Sequence, residues 1–188
     1  MIAKNIYYKF NQVINRFRVY KLRLLGMSVG NGCNIGKISV IGHERIKIGD
    51  NVTIQDNVRL TATGYSKCSD KFLITIEDHN FIGYGSVIES NKLVRITSYC
   101  MIGPYCYLTD SNHIHNLDDN PFPLLGGEYK NLTIKKNCWI GAHCVILPGV
   151  TINENSIIAA NSTVLKDVNR GSLNAGSPTI QKRIYPII

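Results

Sequence analysis

Aliphatic residues recur along this chain at a spacing of six. The blocks run Ile35 and Ile41, then Ile48, Ile54 and Leu60, then Ile76, Ile82 and Ile88, then Ile96, Ile102 and Leu108. A final block, Ile134, Ile140, Ile146, Ile152, Ile158 and Val164, runs without a slip. Six matches neither the 3.6 period of a helix nor the alternation of a hairpin meander, but it suits a short strand, a bend and the next short strand. Three such units make one triangular coil. Coils stacking at strand spacing, about 4.8 Å, bury a column of aliphatic side chains that no single repeat could bury alone. The seventeen anchors predict between five and six coils. The residue after an anchor is often small, as at Gly36, Gly42, Gly49, Gly83, Gly103, Gly141 and Ala159, which suits a chain turning a corner.

Five of the six cysteines, Cys33, Cys100, Cys106, Cys138 and Cys144, lie two residues before an anchor, in a slot otherwise held by Val52, Val58, Ser86, Val150, Ser156 and Ser162. They read as buried thiols behaving as small hydrophobes, since no C-x-x-C occurs. Cys68 falls outside this register. Two interruptions, about residues 61–75 and 109–133, leave the stack, and inserted loops of a solenoid tend to carry function. The second contains TDSNHIHNLDDNPFPLLGGE, rich in Asp, Asn, His, Pro and Gly.

Before the repeats, residues 4–24 place Ile6, Phe10, Val13, Ile14, Phe17, Tyr20 and Leu24 on one side of a helical wheel, with Lys9, Arg16, Arg18 and Arg23 at its edges or behind. Two readings stay open: a helix capping the open end of the stack, or a basic amphipathic helix resting on an anionic membrane surface. The divisions expected are a basic helical segment over 1–28, a solenoid over 29–168 and a closing tail over 169–188. The formal charge is +8, but residues 1–26 hold six basic and no acidic side chains, so the remainder is nearly neutral. That distribution argues against a nucleic-acid partner. No run of 18 apolar residues and no secretory leader is apparent, so the expected location is the cytoplasm, with the inner membrane face as a further possibility.

The segment NCWIGAHCVILPGVTINENSIIAANSTV, and the repeats around it from about residue 30 to 185, resemble the hexapeptide-repeat acyltransferases. Within them the chain is most similar to bacterial sugar and polysaccharide O-acetyltransferases of the galactoside, maltose and xenobiotic acetyltransferase branch. The resemblance implies an all-β solenoid, a left-handed parallel β-helix of hexapeptide repeats with an N-terminal α-helix and an extended active-site loop. It also implies a homotrimer with active sites between subunits and acetyl-coenzyme A as acyl donor, without a metal. ITSYCMIGPYCYLTDSNH aligns without a gap with the stretch leading to the family's catalytic histidine, here His113. A hydroxyl is a poor nucleophile towards a thioester until a base takes its proton, and imidazole can take that proton and pass it to the leaving thiolate. Donor contacts carry over to Trp139, Gly141, Ala142 and Ala160 along the pantetheine arm, and to Lys166 and Arg183 at the phosphates. The tail AGSPTIQKRI resembles the family's closing motif, with Thr179 where alanine is usual.

Asp110, Asn112, Glu89 and Asn91 are the candidate acceptor contacts, because carboxylates and amides suit a hydroxyl-rich substrate; turn-stabilising roles stay open for each. His43, His79 and His143 read as surface residues, and His115 as more ordinary than functional. LLGMSVGNGCNIG, joining the helix to the first coil, is similar to polysaccharide-biosynthesis O-acetyltransferases, whose acceptors include lipid-linked sugars. Sugar or glycan O-acetylation is therefore expected. N-acetylation of an amino sugar nucleotide and a catalytically silent scaffold are the rivals, and a metal-dependent hydratase has only weak support from histidine spacing.

Overall fold

The structure, a computed structural model, describes residues 2–64, 71–114 and 126–185, with side chains from residue 10 onward. After helix α1 (Ile2–Leu24) the chain winds through six triangular coils, each giving one strand to each of three parallel sheets. The first sheet stacks β1 (Ser28–Val29), β4 (Ile46–Ile48), β7 (Ile74–Ile76), β10 (Val94–Ile96), β15 (Leu132–Ile134) and β18 (Thr151–Ile152). The second stacks β2 (Asn34–Ile35), β5 (Thr53–Ile54), β8 (Phe81–Ile82), β11 (Met101–Ile102), β16 (Trp139–Ile140) and β19 (Ile157–Ile158), and the tail extends it with β21 (Ser172–Ala175) and antiparallel β22 (Ile180–Ile184). The third stacks β3 (Ser39–Ile41), β6 (Arg59–Ala62), β9 (Val87–Ser90), β12 (Tyr107–Thr109), β17 (Val145–Ile146) and β20 (Thr163–Val164).

Anchor pairs with anchor from coil to coil, as in Ile82 to Ile102 to Ile140 to Ile158, so the aliphatic columns are continuous and fully buried. Two anchors differ from the expected register. Val29, buried on β1, opens the first coil and completes the sixfold stack. Ile41 is exposed, and Val40 takes its place opposite Leu60. The physical reason is a corner one residue shorter: Lys37 leads directly to Ile38, where the next coil inserts Asn57 in the left-handed region (φ 60) before Val58.

The cysteine slot is a donor position as well as a narrow one. Cys33, Cys106 and Cys144 each point Sγ at a corner carbonyl of the following coil, at Gly49, Gly141 and Ala159, all at 3.1 Å, and Ser86 Oγ does the same to Gly103 at 3.0 Å. That explains why cysteine and serine share it. All five in-register cysteines are buried and free; Cys68 lies outside the described residues. A hydrogen bond with the neighbouring sulfur, then burial, pushes the Cys106 and Cys138 thiols upward, keeping them neutral.

Helix α1 does cap the first coil, but with a different face from the one its apolar pattern suggests. Val19 and Leu22 are buried in the core beside Met27, Val29 and Ile35, whereas Phe10, Val13, Phe17, Tyr20 and Leu24 are exposed and Ile14 is only half-buried. The end of a solenoid presents unpaired backbone groups, so the docking face must supply polar partners as well as apolar ones. Asn15 does this, donating to the Cys33 carbonyl at 2.8 Å and accepting from the Ile35 N–H at 2.7 Å, as a neighbouring strand would. Arg23 donates to the carbonyls of Val29 and Gly30.

Candidate functional site

Strands of the third sheet run to three or four residues in coils one to four and to two in coils five and six, and the polar candidates gather at the C-terminal ends of the longer ones. Glu89 on β9 pairs with Thr109 on β12 and Thr61 on β6. Tyr107, diagonal to Glu89, donates its phenol proton to a Glu89 carboxylate oxygen at 2.7 Å. Burial first, then this carboxylate, pushes the Tyr107 phenol above its ordinary range. No sequence motif marked Tyr107; only its outward position one residue before the anchor Leu108, within diagonal reach of Glu89, could have signalled it.

Asp110 does not reach the surface. It is fully buried, and its carboxylate accepts from the Asn91 N–H (2.9 Å), the Lys92 N–H (2.8 Å) and the Ser90 hydroxyl (2.6 Å). The chain leaving β9 turns inward at this corner, and its buried N–H groups need an acceptor that no strand supplies. Asn91 is likewise buried, its carbonyl oxygen taken by the Thr63 hydroxyl at 2.8 Å. Expected as acceptor contacts, Asp110 and Asn91 are buried and engaged in the chain's own hydrogen bonds, and Glu89 and Asn112 are the members of that set open to solvent.

The second interruption begins as a hairpin. Strand β13 (Ser111–His113) pairs antiparallel with β14 (Gly127–Tyr129), which sets His113 opposite Gly127. His113 is exposed, with its N–H held by the Asn112 side-chain oxygen at 3.0 Å. A Cβ at Gly127 would lie 2.5 Å from the Tyr129 hydroxyl, so a side chain there would have to displace that ring. An imidazole presented this way, beside the exposed Asn112 amide, is open to proton exchange with whatever occupies the surface there. His115 lies outside the described residues.

The donor candidates lie on coils five and six and on the tail. Trp139 is exposed on β16; Gly141–Ala142 and Ala160 form the same corner in successive coils; Lys166 and Arg183 are exposed, the latter over the Tyr185 ring at 5.1 Å. Gly141 has a reason of its own to be small: a Cβ would sit 2.5 Å from the Ala160 nitrogen, so the stack itself forbids a side chain whatever passes outside. Beside this corner Tyr105 and His143 stack at 5.1 Å, both at positive φ, and Tyr84 meets Tyr105 edge-on. Among the described residues no hydrogen bond or ion pair joins the His113 group to the donor group within one chain. Nor do three or more His, Cys, Asp or Glu side chains there form a group able to hold a metal ion.

A model of the bacterial transferase hexapeptide (six repeats) matches residues 131–166, and one of the hexapeptide repeat of succinyl-transferase matches residues 26–62. A probable macrolide acetyltransferase of Lysinibacillus sphaericus is 34% identical over 133 residues, 61% of this chain and 69% of that protein. The chain belongs to the hexapeptide-repeat acyltransferases. A putative colanic acid biosynthesis acetyltransferase of Escherichia coli is 24% identical over 172 residues, covering 90% of this chain and 75% of the relative. An N-acyltransferase from Bacillus cereus, solved with dTDP-4-amino-4,6-dideoxyglucose and coenzyme A, shares the fold with a TM-score of 0.75 at 21% identity, over 89% of each chain. The fold of this hexapeptide-repeat acyltransferase is thus the left-handed parallel β-helix. That handedness is an exception to the usual right-handed crossover.

Proposed function

We propose that this acyltransferase moves an acetyl group from acetyl-coenzyme A to a hydroxyl of a sugar or glycan precursor, with His113 as general base. The observation carrying this reading is the exposed His113, fixed on a hairpin that leaves the stack just beyond Glu89, Tyr107 and Asp110. The Nε2 or Nδ1 lone pair of His113 takes the hydroxyl proton as the oxygen attacks the thioester carbonyl. Collapse of the tetrahedral adduct breaks the carbon–sulfur bond, and the thiolate leaves with the proton from the imidazolium. Glu89 and Asn112 orient the acceptor, while Asp110 and Asn91 hold the corner that aims them. Trp139, Ala142 and Ala160 line the path of the donor's arm, and Lys166 and Arg183 meet its phosphates. A homotrimer with its sites between subunits would bring the His113 hairpin of one chain to the donor corner of the next. The relatives' acetyltransferase names support the donor, and the match to the colanic acid acetyltransferase over 90% of the chain supports a glycan acceptor.

Thiol release from acetyl-coenzyme A over a panel of sugars tests this. His113→Ala should lower kcat on hydroxyl acceptors by about 10²–10⁴-fold with donor affinity unchanged. Turnover confined to amino sugars, with His113→Ala largely active, would replace O- by N-acylation. Absence of donor binding by the folded wild type would leave the scaffold reading.

A further inference from the structure

Helix α1 spends its less apolar face on the protein. Val19 and Leu22 dock on the first coil, yet Phe10, Val13, Phe17, Tyr20 and Leu24 stand 60–68% exposed. At 3.6 residues per turn these five occupy an arc of about 80°, centred about 170° from the midpoint of Val19 and Leu22. The stripe therefore faces directly away from the β-helix, across its open end.

We infer that this stripe is a docking surface for an anionic lipid bilayer. Charge decides the occupant. Residues 1–43 contain Lys4, Lys9, Arg16, Arg18, Lys21, Arg23 and Lys37 and no Asp or Glu. A second copy of the helix would bring like charge against like charge with no acid to neutralise it, whereas anionic headgroups complement cations flanking an apolar stripe. Arg16 and Lys21, on opposite flanks of the stripe, are both exposed.

A second feature agrees. Between the helix and the first coil lies a groove of ≈ 320 Å³ whose lining combines Leu22, Ile38 and Val40 with Arg18, Lys21 and Lys37. A groove that joins cations to aliphatic side chains suits the phosphate and acyl chain of a phospholipid. Among the described residues no helix is long and apolar enough to cross a membrane, so α1 lies along the interface with the β-helix standing off it. The inference does not depend on the acyl-transfer reading, because it concerns the helix and not the His113 hairpin.

The test is flotation of the full-length protein with vesicles of phosphatidylcholine alone or with about 30 mol% phosphatidylglycerol. The protein should float with the anionic vesicles, be released by salt, and float poorly with the neutral ones. Phe17→Glu combined with Leu24→Glu should reduce flotation about tenfold or more without altering the thermal midpoint or the oligomer mass. Arg16→Gln with Lys21→Gln, which leaves the apolar stripe intact, should weaken anionic binding alone. Equal recovery of wild type and Phe17→Glu/Leu24→Glu in the floating fraction would overturn the inference. So would failure to bind anionic vesicles, or a loss of oligomer mass as the apolar substitutions' sole effect.

Discussion

Replacing Asp110 by asparagine removes one acceptor atom from a corner that needs two. The wild-type carboxylate takes the Asn91 N–H on one oxygen and both the Lys92 N–H and the Ser90 hydroxyl on the other, with no solvent access. Asparagine can turn its carbonyl oxygen towards Lys92 and Ser90, but its NH₂ then meets the Asn91 N–H, donor against donor. One orphaned buried N–H costs about 1–3 kcal/mol. The relief from no longer burying a charge offsets part of this, but the corner was built for an anion. Asp110→Asn should therefore cost about 2 kcal/mol, and Asp110→Ala, which strands both N–H groups, about 4 kcal/mol. Ser90 loses less, since its single proton can turn to the Leu73 carbonyl 2.9 Å away. Urea unfolding followed by circular dichroism reads both differences. A variant Asp110→Asn with wild-type stability and acetyl transfer reduced a hundredfold would refute the reasoning and return Asp110 to direct substrate contact.

Tyr107→Phe removes the donor that holds Glu89 and should lower acceptor affinity with little change in donor affinity, measured as KM for each substrate. It also changes the alkaline limb. The folded phenol titrates above its ordinary value of 10, so its stabilising proton is fully held below about pH 10 and lost as pH rises beyond it; wild type should lose stability there more steeply than Tyr107→Phe. Gly141→Ala drives a Cβ to 2.5 Å from the Ala160 nitrogen, in backbone that cannot move without shifting a coil. It should lower stability by about 1–3 kcal/mol in thermal unfolding, and an unchanged midpoint would mean the two coils are less tightly stacked than described.

Periodicity made the stack legible because burial in a solenoid is periodic: an anchor in one coil lies over an anchor in the next. The same logic failed at Ile41, where a shorter corner put Val40 inward, and at Val29, which precedes the first clear pair. It failed for α1 because a helical wheel ranks faces by apolarity, while a solenoid end selects the face that can pair its open backbone, which Asn15 and Arg23 do. His113 was singled out through the text around it, and its side chain stands exposed on the hairpin. Asp110 was assigned by residue type, and residue type does not distinguish a carboxylate offered to substrate from one consumed by a buried turn. Tyr107 lacked a motif altogether, since its role depends on a diagonal neighbour eighteen residues earlier.

Strict register also makes the molecule a ruler. The His113 hairpin leaves the chain at the end of coil four, and the closing tail leaves it after coil six, so the height between them is a whole number of strand spacings, each about 4.8 Å. Side-chain substitutions leave that height alone, but gain or loss of a coil between Leu132 and Val164 would change it by a full step. A chain with a different coil number in that interval holds the two elements at a different separation. In this architecture length is inherited in discrete units, and under the proposed function the span available to the acyl donor is one of the things those units measure.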